Sequence, residues 1–166
     1  MTVKLTPRGT RGAKPPGFVR PLMALMQRPY IAAVKRRGSK MRTAGFPLLV
    51  LQTTGASSGK ERETVLGYWA DESQTDGSRL VIGSNMGAAA HPGWLFNMAR
   101  HPEQVWIEQD GRRWRVEPET LEGEERAAVW RKVAETSPRY GRYEHQTDRE
   151  IPIVRLRPVA EESRGG

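Results

Sequence analysis

The chain has 166 residues, no cysteine and a formal net charge of +8, a length that suits one core. The missing cysteines exclude disulfides, thiolate metal ligands and a cysteine nucleophile, and no apolar run approaches the ~20 residues that cross a bilayer. The charge is lopsided: residues 1–60 hold 12 Lys and Arg and no acid, while residues 61–166 hold 15 basic and all 19 acidic side chains, so the basic third suggests an anionic partner such as lipid headgroups, nucleic acid or a polyanionic ligand.

Residues 1–17 are rich in Gly, Pro, Arg and Lys and have little to bury. They are expected to be mobile or laid along a surface. Residues 18–37 read as a broken helix, with Pro21 in a first turn and Pro29 breaking or restarting it. Phe18, Val19, Leu22, Met23, Leu25 and Met26 supply apolar area, and Arg20, Arg28, Lys35, Arg36 and Arg37 supply charge. That pattern suits a helix at a membrane surface and equally a helix packing its apolar stripe on the body. A basic connector, 38–45, leads to a strand at 48–53, whose unbroken apolar run implies burial on both faces. A small-residue loop at 54–60 precedes a strand over 63–70, a polar turn with Asp76-Gly77 and a strand over 79–84.

Pro92 as the first helical residue opens a helix to about Arg100. Asp110-Gly111 is a two-residue hairpin turn between strands 103–109 and 112–117. A helix follows to about Thr136, then a short one over 138–146 and a closing strand over 152–157, with 161–166 expected to fray. About six strands joined mostly as hairpins, without βαβ rhythm, favour a small antiparallel barrel, which removes sheet edges. The expected organisation is a basic segment 1–42, a barrel domain 43–160 and a tail 161–166. His91, His101 and His145 show no metal spacing.

The chemistry gathers at two strand ends. In the loop Thr53-Thr54-Gly55-Ala56-Ser57-Ser58-Gly59-Lys60-Glu61-Arg62 the glycines admit close backbone approach. Thr54, Ser57 and Ser58 offer hydroxyls, and Lys60 and Arg62 offer charge for phosphate or carboxylate. It is not a P-loop, being one residue short and lacking a Ser or Thr after the Lys. The second stretch runs Ile82-Gly83-Ser84-Asn85-Met86-Gly87 and on through His91-Pro92-Gly93-Trp94 to Asn97. Trp94 and Asn97, three apart, share a helical face.

The order Thr-Thr-Gly-x-x-Ser-Gly-x-x-Arg, Gly-Ser-x-x-Gly, Pro-x-Trp-x-x-Asn resembles the deazaflavin (coenzyme F420)-dependent nitroreductases, including the F420H2-dependent quinone reductases. The likeness runs from Pro47 to Arg157 and takes in Thr147-Asp148-Arg149-Glu150-Ile151-Pro152. It implies a mainly β fold with flanking helices (α+β): a split β-barrel of the FMN-binding type. It further implies an enzyme in which reduced F420 delivers hydride from C5 of the deazaflavin to a quinone, nitro compound or activated alkene. Arg62, with Lys60 beside it, would anchor the phosphate and glutamate tail. Thr54, Gly55, Ser57, Ser58 and Gly59 would line that loop. Val65, Leu66, Ser84, Asn85, Gly93, Trp94 and Asn97 would surround the ring. Tyr140 and Tyr143 resemble the family's tyrosine lid, with Tyr140 positioning or protonating the acceptor; Ser84 joins them as a catalytic candidate.

This chain departs from the family pattern at Ala56 and Ser57, where basic residues are common, at Asn85, where Lys is frequent, and at Ser137, where a further Tyr is usual. The phosphate-binding loop also tolerates FMN, so an FMN-binding split-barrel oxidoreductase is an alternative. A non-enzymatic basic lipid- or nucleic-acid-binding module is another, although nucleic acid lacks interleaved aromatics here. The expected location is cytoplasmic, with the basic segment peripheral on the inner membrane face. No protein partner is implied.

Overall fold

The computed structural model describes residues 2–14 and 20–162. Phe18 and Val19 lie outside the described residues, as do the side chains of Leu22, Met23, Leu25 and Met26. The strands are β1 (Arg42–Thr43), β2 (Phe46–Thr54), β3 (Glu61–Gly67), β4 (Trp69–Ala70), β5 (Arg79–Ile82), β6 (Val105–Gln109), β7 (Arg112–Thr120) and β8 (Ile153–Glu162). The helices are α1 (Arg20–Arg37), α2 (Gly93–Arg100), α3 (Gly123–Thr136) and α4 (Pro138–Gln146).

Hydrogen-bonded neighbours run β1-β2-β6-β7-β8-β5-β4, and β3 pairs with β2. Only Tyr68 separates β3 from β4, and its N–H donates to the Pro47 carbonyl. β3 and β4 are therefore one bent strand that pairs with β2 at one end and β5 at the other. This returns the sheet to its start and makes an antiparallel barrel of six staves, as the sequence suggests. Asp110 and Gly111 both take positive φ, 52° and 78°, as a two-residue turn between Gln109 and Arg112 requires.

The strand period explains the core. Leu49 and Leu51 of β2 point into the barrel with Val81, Ile107, Val154 and Leu156, and Trp94, Leu95 and Met98 of α2 join that cluster. Leu48 and Val50, on the other face of β2, pack under Ile31 and Val34 of α1. A third cluster joins Ile82, Ile151 and Ile153 to Trp130 and Val133 of α3.

Several local expectations need correction. Pro29 lies inside a continuous α1. A proline removes one helical N–H bond, and here docking of Ile31 and Val34 on the barrel holds the helix past that loss. Lys35 adds an ion pair to Glu63 and another to Glu108 at 3.2 Å. Burial alone would lower the Lys35 pKa, but the bonds to Glu63 and Glu108 outweigh it and raise it. Pro92 is the N-cap of α2, in an extended conformation, rather than its first helical residue. β8 continues to Glu162 because Arg113 holds that carboxylate at 2.9 Å, so Glu161 and Glu162 are paired rather than frayed.

The N-terminal segment is laid along the body. Val3 is buried in the barrel core cluster. Thr120 N–H donates to Thr2, Gly9 N–H to Ala89 and Ala13 N–H to Gly87. No described helix is long and apolar enough to cross a membrane.

Candidate functional site

The loop after β2 is a rigid turn built from small residues. Gly55 N–H donates to Lys60 O at 2.8 Å, and Gly59 N–H to Gly55 O at 2.8 Å. Gly59 takes φ of 63°, which favours glycine there, and a Cβ on Gly55 would displace Ser58 Oγ, 2.5 Å away, and crowd Lys60 O at 3.2 Å. Asn97 of α2 staples this turn to the barrel. Its Oδ1 accepts from Ala56 N–H at 2.9 Å and its Nδ2 donates to Thr53 Oγ1 at 3.0 Å. Thr54 Oγ1 donates to Gln104 Oε1 at 2.7 Å.

What the turn leaves over is a set of exposed donors. Ser57, Ser58, Lys60 and Arg62 are exposed, and among the described residues Lys60 and Arg62 have no ion pair. Strand alternation puts Glu61 on the opposite side from Arg62. The same alternation separates Val65 from Leu66. Val65 packs under α1 and Leu66 against the barrel core. The donor set fits an anionic tail.

The second loop, residues 83–91, is held from three sides. Asn85 and Met86 both have left-handed backbone, φ 45° and 52°; Asn tolerates this region, which suits its presence at 85. Asn85 Nδ2 donates to Ala90 O at 2.9 Å. Beneath the loop, Arg149 donates to the carbonyls of Gly83, Ser84 and Ala88. From α4, Tyr143 and Gln146 press on Gly87, where a Cβ would meet them at 3.3 and 2.5 Å. On the far side runs the N-terminal strap, where a Cβ on Gly12 would lie 2.2 Å from Ala89 N.

Above this loop stands an aromatic wall. The Tyr140 and Tyr143 rings meet edge to face at 5.8 Å. Tyr140 also meets Trp69 at 5.3 Å and Phe46 at 6.3 Å. Burial pushes the Tyr140 phenol above its ordinary value, so it stays protonated at neutral pH. Among the described residues neither phenol has a hydrogen-bond partner, which leaves both as donors for an incoming oxygen.

The predicted residues thus fall into distinct settings. Lys60, Arg62, Ser57 and Ser58 share one exposed loop; Ser84 and Asn85 share another; Gly93 opens α2 between them. Trp94 is buried in the core, 6% exposed, and Asn97 spends both polar ends on the loop. Sequence reading missed Phe46, Trp69, His91 and Arg149. Arg149 lies within the Thr-Asp-Arg-Glu-Ile-Pro stretch, and the spacing of His91 in the sequence bears only on metal binding.

The sequence pattern of the F420H(2)-dependent quinone reductase family matches residues 26–158. This chain belongs to that family. Its cofactor is coenzyme F420, and the chain is an F420-dependent reductase. An F420H(2)-dependent quinone reductase of Mycobacterium tuberculosis is 34% identical over 113 residues, covering 66% of this chain and 72% of the relative. The solved structure of an F420-H2 dependent reductase has 32% identity and a TM-score of 0.55, covering 66% of this chain and 93% of that one. A second, described as a domain-swapped dimer, has 27% identity and a TM-score of 0.57 over 82% of this chain and 98% of that one.

Proposed function

We propose that this chain reduces quinones with F420H2, and that nitro compounds and activated alkenes are further acceptors. The observation that supports it most is the juxtaposition of Tyr140 and Tyr143, whose phenols have no hydrogen-bond partner among the described residues, with the loop that carries Ser84 and Asn85. When bound, reduced F420 supplies a hydride from its deazaflavin. Reduction of a quinone to a hydroquinone takes one hydride and one further proton.

The protein's own residues then have separable tasks. Lys60 and Arg62, with the Ser57 and Ser58 hydroxyls, bind the anionic tail. Asn97 orients that loop. Ser84 and Asn85 place the ring, with Gly93 at the start of α2 leaving room beside it. Tyr140 donates a hydrogen bond to the acceptor carbonyl oxygen and hands it a proton, which solvent restores. The Trp69 and Phe46 rings fix the Tyr140 plane, and the half-buried Trp69 offers flat apolar surface to a planar acceptor. Nitro groups and alkenes conjugated to a carbonyl present an electrophilic centre beside an oxygen acceptor, as quinones do, which is why we include them.

The exposed Arg28, Arg36 and Arg37 of α1 also support a weak association with anionic membrane, where quinones partition. Cosedimentation of the full chain with anionic vesicles, lost at high salt, is the expected result. The cofactor is tested by titrating the protein with F420 and with FMN while following fluorescence. Saturable binding of F420 alone supports the reading; retention of FMN with no F420 binding overturns it.

A further inference from the structure

We propose that Arg149 is a positioning residue for the reduction, fixing from beneath the backbone of residues 83–91 on which Ser84 and Asn85 are presented. This rests on the reading above that the loop faces the cofactor ring.

Arg149 is 6% exposed, yet among the described residues it has no ion pair. Its sequence neighbours are committed elsewhere. Asp148 accepts from the Thr10 and Arg11 N–H groups and from the Thr10 hydroxyl, and Glu150 lies 3.7 Å from Arg126. A buried cation without a counter-charge is expensive unless its donors are matched. Among the described residues, every hydrogen-bond partner of its guanidinium lies on one loop. Nε donates to Ala88 O at 2.9 Å; Nη2 donates to Gly83 O at 3.0 Å and Ser84 O at 2.8 Å; Nη1 donates to His91 Nδ1 at 3.2 Å. That last bond fixes the imidazole tautomer. Nδ1 accepts, so Nε2–H donates to Thr6 O at 2.8 Å and joins the strap to the same network.

The loop has reason to need such a clamp. Two consecutive non-glycine residues, Asn85 and Met86, hold positive φ, a conformation that persists only when the surroundings over-determine it. A planar fork of five N–H donors can bind four acceptors at fixed mutual angles. A lysine places a point charge and can satisfy only some of them.

The test uses the full chain and three variants, Arg149→Met, Arg149→Lys and His91→Leu. Amide hydrogen exchange is measured without cofactor, and kcat, acceptor KM and F420 affinity with it. In Arg149→Met, exchange should rise within residues 83–91 and spare the barrel strands. The kcat of the folded fraction should fall by roughly 10²-fold, the scale of a displaced reacting geometry. F420 affinity should change little, because the tail is held by the other loop. Arg149→Lys should recover part of the lost kcat. Exchange that rises evenly over the barrel, with kcat unchanged, means Arg149 only stabilises the fold and overturns the proposal. If neither Arg149 variant folds, His91→Leu decides, since it withdraws the Nδ1 acceptor and leaves three carbonyl bonds. A lowered kcat with loop-confined exchange supports the proposal, and an unchanged kcat contradicts it. Wild-type protein that neither binds nor oxidises F420H2 instead overturns the parent reading, and the exchange result still judges the clamp.

Discussion

Asn97 offers the cleanest separation of cofactor anchoring from fold stability. Asn97→Ala removes the acceptor for Ala56 N–H and the donor to Thr53 Oγ1. Each neutral bond contributes on the order of 1 kcal/mol, so the loop loses about 2 kcal/mol of restraint. Its internal bonds, Gly55 to Lys60 and Gly59 to Gly55, remain and retain part of the order. F420 binding must then re-order the turn, and its affinity should fall between about tenfold and thirtyfold. The melting temperature should drop by roughly 4–8 °C if the full 2 kcal/mol is also felt globally, at 2–4 °C per kcal/mol for this size. Asn97→Asp is the informative partner. Its carboxylate still accepts from Ala56 N–H and from the Thr53 hydroxyl, so it should melt close to wild type. It also brings a negative charge to the anion-binding loop, so F420 affinity should weaken and the defect should shrink with added salt. Fluorescence titrations at two ionic strengths, with thermal melts alongside, read both effects. An unchanged F420 dissociation constant in Asn97→Ala, with a lowered melting temperature, would mean that Asn97 only braces the core.

Three further outcomes follow from the same geometry. Arg62→Ala should weaken F420 binding by about 1.5–3 kcal/mol, the range for a bond to a charged group, roughly 10- to 150-fold, measured by the same titration. Tyr140→Phe should lower turnover by roughly 10²-fold with cofactor affinity unchanged, and Tyr143→Phe by less; wild-type turnover in the former means that Tyr140 only packs and water supplies the proton. The strap should loosen in acid. Burial and then the Arg149 charge lower the His91 pKa, while the Thr10 hydroxyl and the strap amides hold Asp148 at about 2. Both folded values lie below the unfolded ones, so both groups stabilise the fold above the unfolded pKa. His91 therefore loses its contribution as pH falls below about 6.5, and Asp148 between about 4 and 2. Melting curves of His91→Gln should be flatter with pH near 6 than those of wild type; identical slopes would remove His91 from the latch.

The sequence disclosed those parts of the molecule in which periodicity and turn chemistry agree. The apolar run of β2 announced burial on both faces, and Leu49 and Leu48 indeed face different clusters. Asp110-Gly111 fixed the β6–β7 hairpin, α3 ends at Thr136 as expected, and α4 starts on Pro138. What escaped depended on contacts distant in sequence. Nothing near Pro29 reveals that Ile31 and Val34 dock on β2. The basic third reads as uncompensated because its partners, Glu122 for Lys4 and Glu63 for Lys35, lie on later elements. The same holds at the site. The family resemblance singles out Arg62, Ser84 and Tyr140 as candidates, but the contacts of Asn97, His91 and Arg149 run to carbonyls, amides and a hydroxyl on distant elements, which carry no signature in the sequence. Trp94 shared a helical face with Asn97 in the sequence, yet one is core and the other reaches the loop.

The most direct measurement is a single-turnover experiment without oxygen. F420H2 bound to the protein is mixed with a benzoquinone, and the return of oxidised deazaflavin absorbance is followed in wild type and Tyr140→Phe. The account predicts a protein-dependent, saturable oxidation of F420H2 that is slowed in the variant, with hydroquinone formed in equal amount. Oxidation no faster than in free solution, or no hydroquinone, would contradict it.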